Sequence, residues 1–96
     1  PNEVIEMVAD HFGLKANLLK GKKRTKNLAD ARHLAMFLLR VDEEISLQEV
    51  GRIMGGRDHT TVMHAVEKVK NLAATLEKWQ REVEALRKRV FGGLVG

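Results

Sequence analysis

Two adjacent glycines, Gly55 and Gly56, divide the apolar pattern of the chain and are followed by R-D-H-T-T-V-M-H-A-V-E-K, ending at Lys68. Each glycine inside a helix costs about 1 kcal/mol relative to alanine, so the pair marks a turn with a separate helix on either side. Asp58 is placed to cap the second helix, its carboxylate accepting from backbone N–H groups two or so residues on. Behind it Val62, Ala65, Val66 and Val69 recur at helical spacing and make one face apolar. His59, Thr60, Thr61, His64 and Lys68 fall on the first turn and the opposite face. Upstream, Ser46 and Glu49 have the S-x-x-E form of a capping box and open a shorter helix with Leu47, Val50, Ile53 and Met54. This arrangement predicts a helix-turn-helix over about 46–72, whose second helix reads base edges in a DNA major groove.

Ninety-six residues, 44% of them hydrophobic, support one small domain with a single core. The apolar runs are too short to span a bilayer, so no membrane insertion is expected. The absence of cysteine removes disulfides, thiolate nucleophiles and cysteine–zinc sites, and is compatible with a reducing cytoplasm. A net charge of +4 favours an anionic partner without choosing among DNA, RNA and lipid. Aromatic content of 4% with no tyrosine argues against a stacking platform for single strands. The chain opens at Pro1 with no targeting pattern, and is expected to be a domain excised from a longer protein.

The remaining segments predict an all-α domain of about six helices, with the helix-turn-helix preceded by a basic loop. Asn2 is positioned as a cap, Val4, Ile5, Val8 and Phe12 form the stripe of a first helix, and Gly13 ends it. Leu14, Leu18 and Leu19 indicate a short second helix ending near Gly21. Lys20 to Lys26, K-G-K-K-R-T-K, is either a solvated loop or an arm laid on phosphates, with an arginine able to enter a minor groove. Leu28, Ala31, Leu34, Ala35 and Leu38 define a third helix, with Arg32, His33 and Arg40 outside its stripe. The acidic link Asp42-Glu43-Glu44 is expected to face away from any DNA. A closing helix over about 75–91 carries Leu76, Trp79, Val83, Leu86 and Val90, with Trp79 its largest core contribution. Glu77–Arg81 and Glu84–Lys88 are spaced as ion pairs on its outer side. About two heptads are too few for a coiled-coil dimer, and Gly92-Gly93 should end the helix before a fraying tail.

Catalytic and metal chemistry find no arrangement of residues. Ser46, the only serine, already caps a helix, and adjacent Asp58, His59 and Thr60 point in different directions on a helix. His59 and His64 are five apart rather than at the spacing by which two imidazoles share a metal. Gly21-Lys22 lacks both the upstream glycine and the following hydroxyl of a P-loop. Base reading suits the residues better. Histidine donates to thymine or guanine edges, aspartate accepts from amino groups, and threonine methyls pack on thymine methyls.

The run G-G-R-D-H-T-T-V-M-H, with A-M-F-L-L-R and S-L-Q-E-V-G in order before it, resembles the signature of the C-terminal DNA-binding domain of the DnaA family of bacterial replication initiators. The resemblance covers nearly the whole chain and implies a role for each matching residue. It places Arg57, Asp58, His59, Thr60, Thr61, His64 and Lys68 at the major groove and Arg24 in the minor groove. It places Lys22, Lys23, Lys26, Arg32, His33, Arg40, Ser46 and Leu47 along phosphates. Asp30, Ala31 and Glu67 depart from the family pattern and bear on the strength of backbone contacts. The implied function is binding of duplex DnaA boxes at a replication origin, one monomer per site, in the bacterial cytoplasm. ATP and magnesium are implied only for an upstream ATPase domain, with no cofactor, metal or catalytic residue in this chain. A helix-turn-helix transcriptional repressor is the alternative, and it would need a second subunit to read a palindrome.

Overall fold

The computed structural model describes residues 1–92. It contains α1 (Asn2–His11), α2 (Ala16–Lys20), α3 (Lys26–Phe37), a π-helical turn (Leu38–Asp42), α4 (Leu47–Ile53), α5 (His59–Thr75) and α6 (Glu77–Val90). The six helices bear out the all-α reading. The tail from Gly93 onward, expected to fray, lies outside the described residues.

Helix α3 is the centre of the packing, touching α1, α2 and α5. Thr25 starts it, its hydroxyl accepting from the Leu28 N–H at 3.2 Å. Ala31, Leu34 and Ala35 are fully buried, and the small alanines let neighbouring backbones come close. Against this face α5 lays Val62, Ala65, Val66 and Val69, the four positions that the sequence spacing selects. At its C-terminal end α3 widens into the π turn, where the Glu43 N–H reaches back to the Leu38 carbonyl at 3.1 Å. Single-period reasoning continues one α-helix through this point. The turn instead brings Leu38 and Leu39 both into the core, and two residues beyond it Glu44 holds a left-handed backbone at φ 57°.

Helix α6 closes the bundle against α1 and α5. Arg87 grips both carboxylate oxygens of Asp42 at 2.7 and 2.8 Å, and its guanidinium lies 5.5 Å from the Phe37 ring centroid. The Asp42 hydrogen bonds hold the Arg87 guanidinium above its ordinary range despite its burial. At the other edge, His11 meets Glu82 at 2.8 Å and Arg89 meets Asp10 at 2.5 Å.

Several local expectations are corrected. Helix α1 begins at Asn2 itself, so Pro1 occupies the cap position and no side chain caps there. Ser46 does cap α4, accepting from the Glu49 N–H at 3.2 Å, but Glu49 turns to Arg52 at 2.7 Å and leaves the box half made. Trp79 is only partly buried, Leu76 is 49% exposed, and Val83 and Leu86 supply the buried part of α6. A large indole in the first turn lies at the edge of the core, whereas the middle of the helix crosses it. Glu77–Arg81 pairs as expected, while Glu84–Lys88 is not among the ion pairs of the described residues. The acidic link is divided. Asp42 is turned toward α6, and Glu44 lines a groove with Arg40, Glu67 and Lys70 beside α5.

The turn of the helix-turn-helix is closed by one carbonyl. Gly51 O accepts from the Gly56 N–H at 2.9 Å and from the Arg57 N–H at 2.8 Å. A Cβ at Gly51 would lie 2.0 Å from the Arg57 carbonyl oxygen. Alanine favours a helix interior by about 1 kcal/mol, but forcing backbone apart costs about 1–3 kcal/mol. Gly51→Ala should therefore lower stability by up to about 2 kcal/mol net, read by urea unfolding; a higher midpoint would show that α4 and α5 separate freely.

Candidate nucleic-acid interface

The first turn of α5 projects from the bundle because Val62 is the first residue its buried face claims. Asp58 stands at the N-cap with extended backbone, φ −63° and ψ 144°, but its side chain makes no capping hydrogen bond. The expected cap is thus right in position and wrong in chemistry. Its carboxylate lies 3.2 Å from His59 Nδ1 instead, with both side chains more than half exposed. The first N–H groups of a helix have no intrahelical acceptor and carry the positive end of its dipole, so this turn attracts anions and acceptors. His59, Thr61, His64 and Lys68 are exposed, and Thr60 is half-buried. They form a polar strip along α5 opposite the valines. Glu67 is exposed beside them and lines the groove with Arg40 and Lys70.

A second element stands next to this turn. The basic run is shorter as a loop than its sequence indicates, since Lys20 ends α2 and Lys26 opens α3. Lys22, Lys23 and Arg24 remain exposed between Gly21 and Thr25. Lys26 leans toward Asp30 at 3.6 Å, which sets part of its charge against a carboxylate.

Two arginines expected at DNA are built into the frame. Arg32 is 6% exposed, and it donates from Nε to Leu19 O at 3.0 Å and from Nη2 to Leu18 O at 2.8 Å and Gly21 O at 3.1 Å. Arg57 donates from Nη2 to Gly21 O at 2.7 Å and from Nη1 to Met54 O. Burial lowers both guanidiniums from their ordinary range, followed by repulsion from Arg24 on Arg32 and from Arg32 on Arg57. Gly55 completes the junction, because a Cβ there would stand 2.1 Å from the Lys20 carbonyl oxygen. A cleft of about 310 Å³ results, lined by Lys20, Lys22, Arg24, Arg32 and Arg57 with three glycines and without a carboxylate. Sequence inspection puts Arg32 and Arg57 on the surface because their acceptors are carbonyls, and one of them lies 36 residues away.

The other positions read as phosphate contacts lie on three elements: His33 on α3, Arg40 in the π turn, and Ser46 and Leu47 at the start of α4. Arg40 is exposed and donates to Ile45 O at 3.3 Å, while Ser46 and Leu47 stand at the start of α4. His33 is half-buried, with Nδ1 enclosed and unpartnered, so Nε2 is the nitrogen that reaches solvent. Its imidazole is held below the usual histidine range by burial first, then by the Lys68 ammonium and Arg32, with Asp30 opposing. The Lys68 ammonium thus acts on His33 across the packing of α3 on α5.

A depressed histidine makes the unfolded chain bind its proton more readily than the folded domain. Unfolding free energy then falls as pH drops below about 6.5, until the folded imidazole also protonates. His33→Gln, which retains an N–H donor without the titration, should lose less stability than the parent between about pH 7 and pH 5 in urea unfolding. Equal pH slopes for the two proteins would show that His33 takes up its proton as easily folded as unfolded.

The sequence profile described as "Bacterial dnaA protein helix-turn-helix" matches residues 1–69, from α1 through most of α5. The chain is similar to the chromosomal replication initiator protein DnaA of Thermus thermophilus, 49% identical over 86 residues, covering 90% of this chain and 19% of that protein. The protein of the same name from Roseiflexus castenholzii is 37% identical over 95 residues, covering 99% and 20%. That from Herpetosiphon aurantiacus is 33% identical over 91 residues, covering 95% and 19%. The chain thus spans about a fifth of the length of these relatives. Because the matched region includes both helices of the motif, the turn between them and the basic loop, the chain belongs to the bacterial DnaA helix-turn-helix family.

Proposed function

We propose that this domain binds duplex DNA at DnaA boxes, one monomer per asymmetric site, as the DNA-binding part of a replication initiator. The observation that carries the reading is the pairing of an exposed, uncapped α5 N-terminus with a short basic loop anchored beside it. On this reading α5 enters the major groove with Asp58, His59, Thr60, Thr61, His64 and Lys68. The loop follows the backbone with Lys22 and Lys23, and Arg24 enters the adjoining minor groove. His33, Arg40, Ser46 and Leu47 flank phosphates, His33 through Nε2. Arg32 and Arg57 support the site from behind. ATP use and origin opening belong to the longer protein, and no catalytic step is assigned to these residues. The repressor alternative gains no support from α6, whose apolar positions Val83 and Leu86 are covered by the chain's own core.

Footprinting on a bacterial origin fragment tests the reading directly. Protection of discrete short repeats, with one protein per minimal duplex by sedimentation, is expected. Two proteins on a palindrome would favour the repressor.

The two elements should separate by the kind of affinity they supply. His59→Ala and Thr61→Ala should each reduce discrimination between specific and random duplexes by about 1–3 kcal/mol with an unchanged helical CD spectrum. Equal weakening on both duplexes would remove base reading from α5. Lys22→Ala or Lys23→Ala should instead weaken every duplex alike and lower the salt slope by about one unit per phosphate contact. A slope equal to the parent's would leave the loop a solvated one.

A further inference from the structure

Arg57 precedes His59 by two residues, and its guanidinium ends on the carbonyl of Gly21, three residues before Arg24. Its second nitrogen holds Met54 O, so the side chain closes the α4–α5 turn and reaches across to the basic loop at once. Three further features converge on the same place. Arg32 donates to the same Gly21 O at 3.1 Å. Gly55 lets the turn backbone approach Lys20 more closely than any Cβ allows. Thr25 fixes the far end of the loop through the Leu28 N–H. The loop is therefore pinned at Gly21 and at Thr25, with Lys22, Lys23 and Arg24 between the pins.

We propose that Arg57 is a positioning residue that sets the register between the loop and α5, so that Arg24 and His59 meet their grooves at one fixed spacing. This rests on the reading of Arg24 and α5 given under Proposed function. Two recognition elements joined only by flexible chain each lose conformational freedom on binding, whereas elements already held in register do not. Lysine at position 57 keeps a positive charge but lacks the planar fork that holds two carbonyls in different directions. The structural consequence is local: the loop loses one of its two guanidinium anchors, while Arg32 and the core remain. The functional consequence is remote. A change in the turn should alter discrimination in the minor groove, where Arg57 itself does not reach.

The experiment titrates the parent, Arg57→Lys, Arg24→Ala and the double variant against two duplexes. These share the major-groove site and differ only in whether the flank facing Arg24 is A·T-rich or G·C-rich. A narrow A·T-rich minor groove attracts an inserted arginine, and one such contact corresponds to a preference of about tenfold. The parent should show that preference and Arg24→Ala should lose it. Arg57→Lys should lose most of it as well, and the double variant should be no worse in flank preference than Arg24→Ala alone. If Arg57→Lys weakens both duplexes by the same factor and keeps the flank preference, Arg57 is a direct contact and the proposal is overturned. If Arg24→Ala retains the parental preference, the arm does not read that flank, and the arm's role and the positioning role fall together. Should Arg57→Lys lose its helical CD signal, insertion of one glycine between Gly21 and Lys22 asks the same question with Arg57 intact. The longer arm should lose the flank preference while keeping the fold, and a full preference after insertion overturns the fixed register.

Discussion

The carbonyl oxygen of Gly21 accepts from two guanidiniums, Arg32 from α3 and Arg57 from the helix-turn-helix turn. A carbonyl has two lone pairs, so both donors fit without competition. Each bond has a charged donor, a class that contributes about 1.5–3 kcal/mol net. Together with the Arg32 bonds to Leu18 and Leu19 they satisfy the C-terminus of α2, a five-residue helix that would be marginal alone, while the Arg57 bond to Met54 holds the end of α4. The loop, the turn and the central helix are thereby made one object. Arginine suits the task because its guanidinium is weakly hydrated and remains charged when half-enclosed, where a lysine ammonium would give up more hydration. The mutual repulsion of Arg24, Arg32 and Arg57 persists with no carboxylate among the cleft's lining residues. That positive field faces the side on which an anionic polymer is proposed to lie.

The rest of the bundle serves to hold α3 and α5 in contact. Their shared core uses small residues, Ala31, Ala35 and Ala65, beside valines and leucines, which allows close helix approach. Helix α6 braces the far side through Arg87 and Asp42, and the π turn aims Asp42 at that partner. These contacts lie away from the polar strip of α5. Division of labour follows from charge: carboxylates such as Asp42, Glu82 and Asp10 are paired on the α1–α6 side, whereas the cleft and loop keep their cations free of them. Asp30, Glu44, Asp58 and Glu67 are among the exceptions. Asp30 stands beside Lys26 and opposes the repulsion on His33, so the departure at that position tempers the field of α3.

Legibility in the sequence followed the range of the interaction. The helix boundaries around the glycine pair, the four buried positions of α5 and the Ser46 cap were all readable, because each depends on residues within one or two turns. Asp58 was readable as a position, yet its carboxylate chose the adjacent imidazole over the backbone. Trp79 was misplaced because spacing reports which face a residue is on and not how far along the helix the core extends. The roles of Arg32 and Arg57 were hidden for a different reason. Their acceptors are main-chain carbonyls, which leave no mark on the identity of Gly21, Leu18 or Met54.

By itself the sequence determined an all-helical domain with one helix-turn-helix, a basic loop before it, and the family to which such a chain belongs. Those properties reside in periodicity, in turn residues and in a contiguous signature, and all of them survive on a one-dimensional string. The tertiary structure decided which cations face solvent and which hold the frame. It also decided that the loop and the turn before α5 are fixed to each other, and that the Lys68 ammonium acts on His33. Burial and hydrogen-bond geometry make those choices, since one guanidinium binds phosphates when exposed and carbonyls when enclosed. Which of the two applies depends on where the folded backbone brings the carbonyls.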